Sequence, residues 1–405
     1  MGAGGAHPFG VQAYETWTGP TDRCSRVEAR NGAQLRKGAE AALRGRRPRL
    51  EVVFEDALTR WDGEEVAVRF DEPTQTWMFV GVHSTVLGPA MGGTRMKSYA
   101  APEDGLRDVL RLSAAMSYKQ ATAGVPYGGG KAVLAVPDVP PPGSSERRTL
   151  LLRYAALVDS LHGTYVTAAD MNTASPDMDV IGERTTHVLG RSRDHGGAGD
   201  PAPGTALGVY QGIRSTWRHV TGSPDLAGVR VLIQGAGSVG DRLADHLHDA
   251  GATVLVADVD PVRAEKTAQR VGGSVVEADS VIGTECDVYA PCATGAVLTA
   301  ETIPSLACRV VAGAANNQLG EPEDAALLQQ RGILYAPDYV INAGGVIHLA
   351  GYETLGWDDA MMQARLAGIG ETLLQLYRTS EDEGISTAEA ADRLARARIE
   401  AGPRG

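Results

Sequence analysis

The order of apolar and polar residues changes character about half-way along the chain. In the first half, strand-like segments are separated by amphipathic helical segments. The pattern predicts strands at 64–70, 77–83 and 131–136 and helices at 103–119 and 146–162. These elements indicate a mixed α/β domain.

A Gly- and Pro-rich stretch at 194–204 interrupts this pattern and predicts a hinge, followed by a helix at 205–220. Short apolar strands then alternate with helices. The predicted strands are 229–234, 253–257, 287–290 and 310–312, with a helix at 238–249. Such alternation is typical of a doubly wound parallel sheet. After Gly345 the sequence predicts helices that pack back on the first domain.

The fold class is therefore α/β, with a mixed N-terminal domain at 51–200 and a Rossmann-type doubly wound domain at 201–350. Residues 351–405 are expected to complete the first domain. Residues 1–50 are rich in Gly and Arg and lack apolar periodicity, which predicts a disordered extension. A basic arm for a partner is the alternative, based on Arg44, Arg46, Arg47 and Arg49.

Length and charge restrict the class of protein. A chain of 405 residues is too long for one compact core of ordinary size, which agrees with two domains. The sequence has no apolar run of about 18 residues and no secretory signal, so we expect a cytoplasmic protein with no membrane association. A net charge of -12 disfavours nucleic acid and favours a small-molecule partner.

Cysteine and histidine spacing gives no reason to expect a metal or a disulfide framework. The four cysteines have no CxxC spacing and are Cys24, Cys286, Cys292 and Cys308. His246 and His248 are two residues apart on a predicted helix, so their side chains point to different faces. We therefore predict no metal site.

Residues 229–258 contain a strand, a glycine-rich turn, a helix and a second strand in that order. Gly235, Gly237 and Gly240 have GxGxxG spacing, which permits the tight turn, close approach to a pyrophosphate and close helix–strand packing. The following helix N-terminus favours phosphate. Asp258 can accept hydrogen bonds from ribose hydroxyls and would repel a 2'-phosphate, so the motif predicts NAD. Neighbouring predicted cofactor contacts are Ser238, Val239 and Val259.

Arginine is the usual cation of this chain, because only five of 38 basic residues are lysines. They are Lys37, Lys97, Lys119, Lys131 and Lys266. A desolvated lysine can lose its proton near neutral pH, whereas arginine cannot. Lys119 ends a predicted helix and Lys131 follows three glycines, so both are candidates for chemistry. Two solvated surface lysines are the alternative.

The segments around these two lysines resemble the amino acid dehydrogenase family that includes leucine, valine, phenylalanine and glutamate dehydrogenases. They are 88–95 (GPAMGGTR), 116–119 (MSYK) and 128–131 (GGGK). The resemblance continues in order through 167–173 (TAADMNT), 177–179 (DMD), 196–199 (GGAG), 290–293 (APCA), 312–317 (AGAANN), 335–339 (YAPDY) and 342–345 (NAGG). It spans roughly residues 60 to 400.

The resemblance implies reversible NAD-dependent oxidative deamination of an L-amino acid to a 2-oxo acid and ammonia. Lys131 matches the family's catalytic base and Asp170 its proton shuttle. Lys119 matches the residue that binds the substrate carboxylate, assisted by the amides of Gly92 and Gly93. The resemblance also implies a homo-oligomer that associates through the first domain. Implied cofactor contacts are Arg95, Thr205, Ala293 and Asn316, the last also touching substrate.

Four apolar residues match positions that line the side-chain pocket of the family, namely Met91, Ala168, Val346 and Leu349. Met91 stands where glutamate-specific relatives have a lysine, and an unpaired buried carboxylate is costly, so glutamate is disfavoured. Ala168 and Val346 resemble leucine and valine dehydrogenases. Segments typical of phenylalanine dehydrogenases are 347–351 (IHLAG), 355–357 (LGW), 190–192 (GRS) and Asn172. Phenylalanine is slightly favoured, with leucine and valine close behind.

Two alternatives remain open at the level of the sequence. One is a biosynthetic dehydrogenase for an unusual aromatic amino acid such as tryptophan. The other is a non-catalytic NAD sensor of the same fold, since NAD binding alone does not establish hydride transfer. A sensor would give no reason for Lys119, Lys131 and Asp170 to occur together.

Overall fold

A computed structural model of the chain describes residues 57–293 and 295–402. The predicted extension at 1–50, its arginine cluster and Cys24 lie outside the described residues. No helix within those two ranges is long and apolar enough to cross a membrane.

The described residues form two sheets, and the first contains the strands of the N-terminal half. These are β1 (Glu65–Asp71), β2 (Thr76–Ser84), β3 (Ala90–Lys97), β4 (Gly128–Ala135) and β5 (Tyr165–Ala169). The order is β1-β2-β4-β3-β5, with β2 antiparallel to β1 and β4, and β3 parallel to β4 and β5. The mixed α/β domain is confirmed, but β3 and β5 were not among the predicted strands.

Helices cover both faces of this sheet. They are α1 (Pro102–Ala123), α2 (Ser145–Asp159) and α3 (Ser175–Ile181). Phe79 of β2 and Val133 of β4 pack with α1. Their chain neighbours Met78 and Leu134 point to the opposite face and pack with α2 and α3. This alternation follows the two-residue repeat of a strand. Because β2 and β4 are covered on both sides, their sequences are almost continuously apolar.

The second sheet is wholly parallel and doubly wound, as predicted. Its strands are β6 (Arg230–Gln234), β7 (Thr253–Ala257), β8 (Ser274–Val275), β9 (Val288–Pro291), β10 (Val310–Val311) and β11 (Leu334–Tyr335). Their order is β11-β10-β9-β6-β7-β8. The order reverses between β6 and β9, and ligands of such sheets bind at the carboxyl ends of the strands at this point.

Helices of the second half begin at the predicted hinge, where Gly196 and Gly199 have φ of +80° and +77°. They are α4 (Ala202–Thr221), α5 (Ser238–Asp249), α6 (Pro261–Arg270), α7 (Asp324–Gln330), α8 (Asp338–Ile341) and α9 (Gly344–Leu349). A π-helical turn follows at Ala350–Thr354, then α10 (Asp359–Glu383) and α11 (Thr387–Glu400).

The last two helices pack on different parts of the molecule. Helix α10 lies along α4, whereas α11 lies on α1 of the first sheet. Arg398 of α11 donates from Nη1 to the carbonyls of Ala121 (3.0 Å) and Thr122 (2.7 Å), near the C-terminal end of α1. A cation there offsets the negative end of the helix dipole. The C-terminal segment thus returns to the first domain through α11.

Candidate active site

Lys131 and Asp170 are adjacent although they are 39 positions apart in the chain. Lys131 lies in β4, and Asp170 directly follows β5, two strands away. Lys131 Nζ is 3.1 Å from Asp170 Oδ1, and the lysine side chain is only 6% exposed. Burial lowers the pKa of Lys131, the Asp170 carboxylate opposes that shift, and the Arg95 charge adds to it. The structure therefore brings together the two residues predicted to be catalytic.

Arg95 completes a chain of charges around Asp170. Its Nε donates to Asp170 Oδ2 (3.1 Å) and its Nη1 donates to Asp108 Oδ2 (2.8 Å). Burial by itself raises the pKa of Asp170, but Lys131 and Arg95 lower it to about 2. Asp170 is consequently an ionised carboxylate between an ammonium and a guanidinium. Arg95, for which the resemblance implied a cofactor contact, binds this carboxylate in the structure.

Asp108 is a site residue that the sequence did not reveal. Its Oδ2 accepts from Arg95 and from the hydroxyl of Tyr99 (2.7 Å), and its Oδ1 accepts from Arg111 (2.9 Å). In the sequence, Asp108 and Arg111 stand three residues apart, which is typical of an ordinary surface ion pair on a helix. Only the neighbouring strand β3, which carries Arg95, connects Asp108 to the candidate catalytic pair.

A hydrogen bond between Lys119 and Asn316 connects α1, which packs on the first sheet, to the loop that follows β10 of the second sheet. Lys119 Nζ donates to Asn316 Oδ1 (3.3 Å), and Asn342 Nδ2 donates to the same oxygen (2.9 Å). Burial lowers the pKa of Lys119 to about 8; Asp338 opposes this shift, and Lys131 adds to it. A bound carboxylate would favour the charged form of Lys119. With such a ligand, Lys119 would stay charged, whereas Lys131, whose pKa is lowered by burial, could lose its proton.

The glycines of β3 occupy positions where no side chain fits. A Cβ at Gly92 would lie 1.7 Å from the carbonyl oxygen of Gly130, and one at Gly93 would lie 2.5 Å from that of Ala169. The Gly92 carbonyl also accepts from the hydroxyl of Tyr165 (2.6 Å). These contacts hold the Gly92–Gly93 backbone beside Ala169 and Gly130, which directly precede Asp170 and Lys131.

All four predicted pocket residues lie in one apolar cluster. Met91 and Ala168 belong to the adjacent strands β3 and β5, and Val346 and Leu349 are one turn apart on α9. Val125, Tyr127, Val166 and Leu189 belong to the same cluster. Among these apolar residues lies the amide of Gln120, which the sequence did not single out and which contacts Met91.

The glycine turn has a distinct geometry at each glycine. Gly235 has a φ of +107°, and a Cβ there would lie 2.7 Å from the Cβ of Ala293. A Cβ at Gly240 would lie 1.9 Å from the Gly235 carbonyl oxygen. In contrast, no protein atom lies within 4 Å of a Cβ at Gly237 among the described residues. The turn is tight at its first and third glycines and open at the second.

The carboxylate of Asp258 closes this turn from the end of β7. Its Oδ2 accepts from the Ala236 amide (2.7 Å) and its Oδ1 from the Asp260 amide (2.9 Å). Arg263 Nη1 lies 3.8 Å from Oδ2. The adjacent Val259 is 92% exposed. Asp258 therefore stabilises the glycine turn directly, at the position predicted for the ribose contact.

The other predicted cofactor residues lie in three different segments of the chain. Ser238 and Val239 form the first turn of α5, and Ser238 is exposed. Ala293 contacts Gly235. Thr205 lies in the first turn of α4, where its hydroxyl donates to the Pro201 carbonyl (3.1 Å). A Cβ at Gly345 would lie 2.8 Å from that hydroxyl, so Thr205 also marks the contact between α4 and α9.

The three cysteines of the described residues carry free thiols. Burial raises the pKa of Cys286, Cys292 and Cys308 to about 12, so these thiols are protonated at neutral pH. Within 57–293 and 295–402, no group of three or more His, Cys, Asp or Glu side chains could hold a metal ion.

Known protein families match most of the described chain. Residues 68–187 match the model of the Glu/Leu/Phe/Val dehydrogenase dimerisation domain, and residues 259–402 match that of Glutamate/Leucine/Phenylalanine/Valine dehydrogenase. The chain is 40% identical over 345 residues to leucine dehydrogenase from Thermoactinomyces intermedius, covering 85% of this chain and 93% of the relative. It is 44% identical over 345 residues to valine dehydrogenase from Streptomyces coelicolor, covering 84% and 93%.

A solved structure shows the same architecture. The crystal structure of L-tryptophan dehydrogenase from Nostoc punctiforme matches with a TM-score of 0.70 and 37% identity, covering 85% of this chain and 98% of that chain. The relatives and the family models thus show that the protein is an amino acid dehydrogenase. The chain belongs to the glutamate/leucine/phenylalanine/valine dehydrogenase family.

Proposed function

We propose that this enzyme catalyses the reversible, NAD-dependent oxidative deamination of an apolar L-amino acid to its 2-oxo acid and ammonia. The observation that carries this proposal is the buried ion pair of Lys131 and Asp170, 3.1 Å apart beside Lys119 and an apolar cluster. A buried lysine with a lowered pKa is suited to act as a base near neutral pH. The names of the leucine and valine dehydrogenase relatives support the same activity.

The second domain fits a dinucleotide. The open space at Gly237 leaves room for a pyrophosphate against the backbone, and α5 begins there without a side-chain cap. Uncapped N–H groups at a helix N-terminus favour phosphate. Asp258 directly follows β7, where its negative charge favours NAD over NADP. When bound, NAD would accept a hydride from the substrate α-carbon.

The residues of this chain then have separate tasks. Charged Lys119 binds the substrate carboxylate and orients the α-carbon. As a neutral amine, Lys131 takes a proton from the water that attacks the iminium formed by hydride loss. Asp170 exchanges protons with the amino group, so that ammonia can leave when the carbinolamine collapses to the oxo acid. Closure of the cleft over the substrate would exclude bulk water from these steps.

The apolar residues at the predicted pocket positions support an apolar substrate. Met91, Ala168, Val346 and Leu349 provide no cation to neutralise the γ-carboxylate of glutamate. Within the apolar class, the segments at 347–351 and 355–357 favour phenylalanine, whereas the names of the curated relatives favour leucine and valine. Tryptophan is the second candidate, because the solved relative acts on it by name.

The enzyme also has a surface suited to association of identical subunits. Strand β1 is an edge strand, and Val68 and Phe70 on it are exposed. Unpaired backbone groups and exposed apolar side chains at a sheet edge favour pairing with another chain. We propose a homo-oligomer that forms through this domain, in line with the dimerisation domain matched at 68–187.

A direct assay tests the proposed function. The purified full chain would be incubated with NAD and, separately, L-phenylalanine, L-leucine, L-valine, L-tryptophan or L-glutamate, and NADH would be followed at 340 nm together with ammonia release. We expect NADH and ammonia in equal amounts with at least one of the four apolar substrates and a much lower rate with glutamate. Absence of turnover with every apolar substrate, or a preference for glutamate, would refute the proposal.

Replacement of Gly237 by alanine is expected to weaken NAD binding and to lower the stability by no more than about 1 kcal/mol, because Gly237 is the N-cap of α5. The added methyl group meets no protein atom but enters the space assigned to the pyrophosphate. We expect a loss of affinity of about tenfold or more, which corresponds to about 1.4 kcal/mol. Calorimetric titration with NAD measures the affinity, and thermal unfolding measures the stability.

Gly368→Ala is the matched control, because Gly368 in α10 also has open space at its Cβ but lies outside the site. It should leave NAD affinity unchanged. Equal affinity for NAD in Gly237→Ala and the unmodified protein would show that the pyrophosphate lies elsewhere.

A further inference from the structure

Gln120 has a buried side-chain amide in which, among the described residues, the nitrogen makes polar contacts but the oxygen makes none. It follows Lys119 on α1, faces β3 and is 0% exposed. Its Nε2 lies 3.3 Å from Met91 Sδ and 3.5 Å from the Met91 carbonyl oxygen. Among the described residues, its Oε1 has no hydrogen-bond partner.

An unpartnered acceptor in an apolar environment is unfavourable, and folded proteins rarely keep one without a reason. The thioether of Met91 is a weak acceptor, so even the donor side of this amide makes poor contacts. A leucine or methionine at this position would fill similar volume without the cost. The acceptor is therefore best explained by a donor that arrives with a ligand.

The position of Gln120 indicates which ligand brings that donor. Gln120 directly follows Lys119, assigned to the substrate carboxylate, on α1, and its amide contacts Met91, assigned to the side-chain pocket. Ala168 lies in the same apolar cluster as Met91. Because Met91 is assigned to the pocket for the substrate side chain, the donor we assign to Gln120 is one carried by that side chain. The unbranched side chain of Met91 can change rotamer to admit it.

We propose that Gln120 is a specificity-determining residue, and that the preferred substrate is an aromatic amino acid whose ring carries one N–H or O–H donor for Gln120 Oε1. The indole of tryptophan and the phenol of tyrosine both have this chemistry. The remainder of either ring is apolar and suits the surrounding cluster. This inference rests on the proposed function, because it concerns the substrate of the same site.

A pocket built to accept a hydrogen bond rejects an isostere that lacks the donor, because the acceptor then stays unpaired. The side chains of phenylalanine, leucine and valine have no hydrogen-bond donor, so they would leave Gln120 Oε1 unpaired. The preference for a substrate with a donor over one without it therefore depends on the amide oxygen of Gln120 rather than on the size of the pocket.

The test compares pairs of substrates that differ only in the donor. Tryptophan is compared with 3-benzothienylalanine, in which sulfur replaces the ring N–H, and tyrosine is compared with phenylalanine. Values of kcat/KM are measured with NAD for the unmodified enzyme, for Gln120→Met and for Gln120→Leu. Ser113→Ala, on the same buried face of α1 but two turns earlier, is the control for loss of a buried polar group.

We expect the unmodified enzyme and Ser113→Ala to favour the donor-bearing member of at least one pair by about tenfold or more. That preference should fall to within about twofold in Gln120→Met and Gln120→Leu. The pair that shows the preference identifies indole or phenol as the source of the donor. The same ratio in the unmodified enzyme and in both Gln120 variants would overturn the inference, as would a preference for the member without the donor.

The two proposals fail in different ways. If phenylalanine, leucine or valine is turned over but neither pair shows a donor preference, only the assignment of Gln120 is wrong. If no amino acid in the set reduces NAD, the proposed function itself fails.

Discussion

Replacement of Lys131 by alanine is expected to lower kcat by about 10² to 10⁴-fold, while NAD binding remains unchanged. Loss of a general base typically costs a factor of this size. Lys131 lies in β4 on the first sheet, whereas the glycine turn of the dinucleotide site follows β6 on the second. The variant should fold, because Arg95 still neutralises Asp170 through a hydrogen bond of 3.1 Å.

The measurement compares steady-state rates and NAD affinity for Lys131→Ala with those for Lys266→Ala. Lys266 is exposed on α6 and serves as the control for loss of a lysine. The control should retain normal kcat. An unchanged kcat in Lys131→Ala would show that another group acts as the base.

Replacement of Asp170 by asparagine is expected to lower kcat by about 10² to 10⁴-fold, because the amide cannot exchange protons with the amino group of the substrate. The change also removes the ion pair with Lys131 and one of the two ion pairs that Arg95 makes with carboxylates of the described residues. Asp108 still binds Arg95, so the guanidinium keeps a counter-ion. Thermal unfolding of the variant would show whether the fold is retained.

The pH profile of Asp170→Asn provides a second readout that a purely structural role would not move. Catalysis needs the neutral amine of Lys131, so kcat/KM rises with pH up to the pKa of that amine. Asp170 raises the pKa of Lys131 against the effect of burial. Loss of its charge therefore lowers that pKa further, and the rising limb should move to lower pH. A limb that stays in place or moves to higher pH would contradict the proposed coupling.

Periodicity was sufficient to predict the doubly wound sheet, because its longer strands are short apolar runs between amphipathic helices. Of the strands that were missed, β5 is itself a short apolar run, whereas β3, β8 and β11 lack that signal. Strand β3 contains Gly92 and Gly93, which have no side chains to show alternation. Strands β8 and β11 are two residues long, so they are defined by their parallel partners rather than by their own sequences.

The candidate site was predictable only where residue identity was unusual. Lys131 stood out because lysine is rare in this chain and because its neighbours resemble a known family. The ion pairs of Arg95 with Asp108 and Asp170 could not be predicted, since they depend on β3 lying between β4 and β5. Gln120 resembled any polar helical residue, because its burial against Met91 is a tertiary contact.

The position of Lys131 relative to substrate and cofactor is the basis of the whole mechanism. A crystal structure of the enzyme with NAD and a 2-oxo acid product would locate these groups directly. We expect Lys131 Nζ within about 3 Å of the oxo group, a normal hydrogen-bond distance, with the nicotinamide C4 facing the same α-carbon. If both Lys131 and Asp170 lay far from C4 and faced solvent, the proposed mechanism would be wrong.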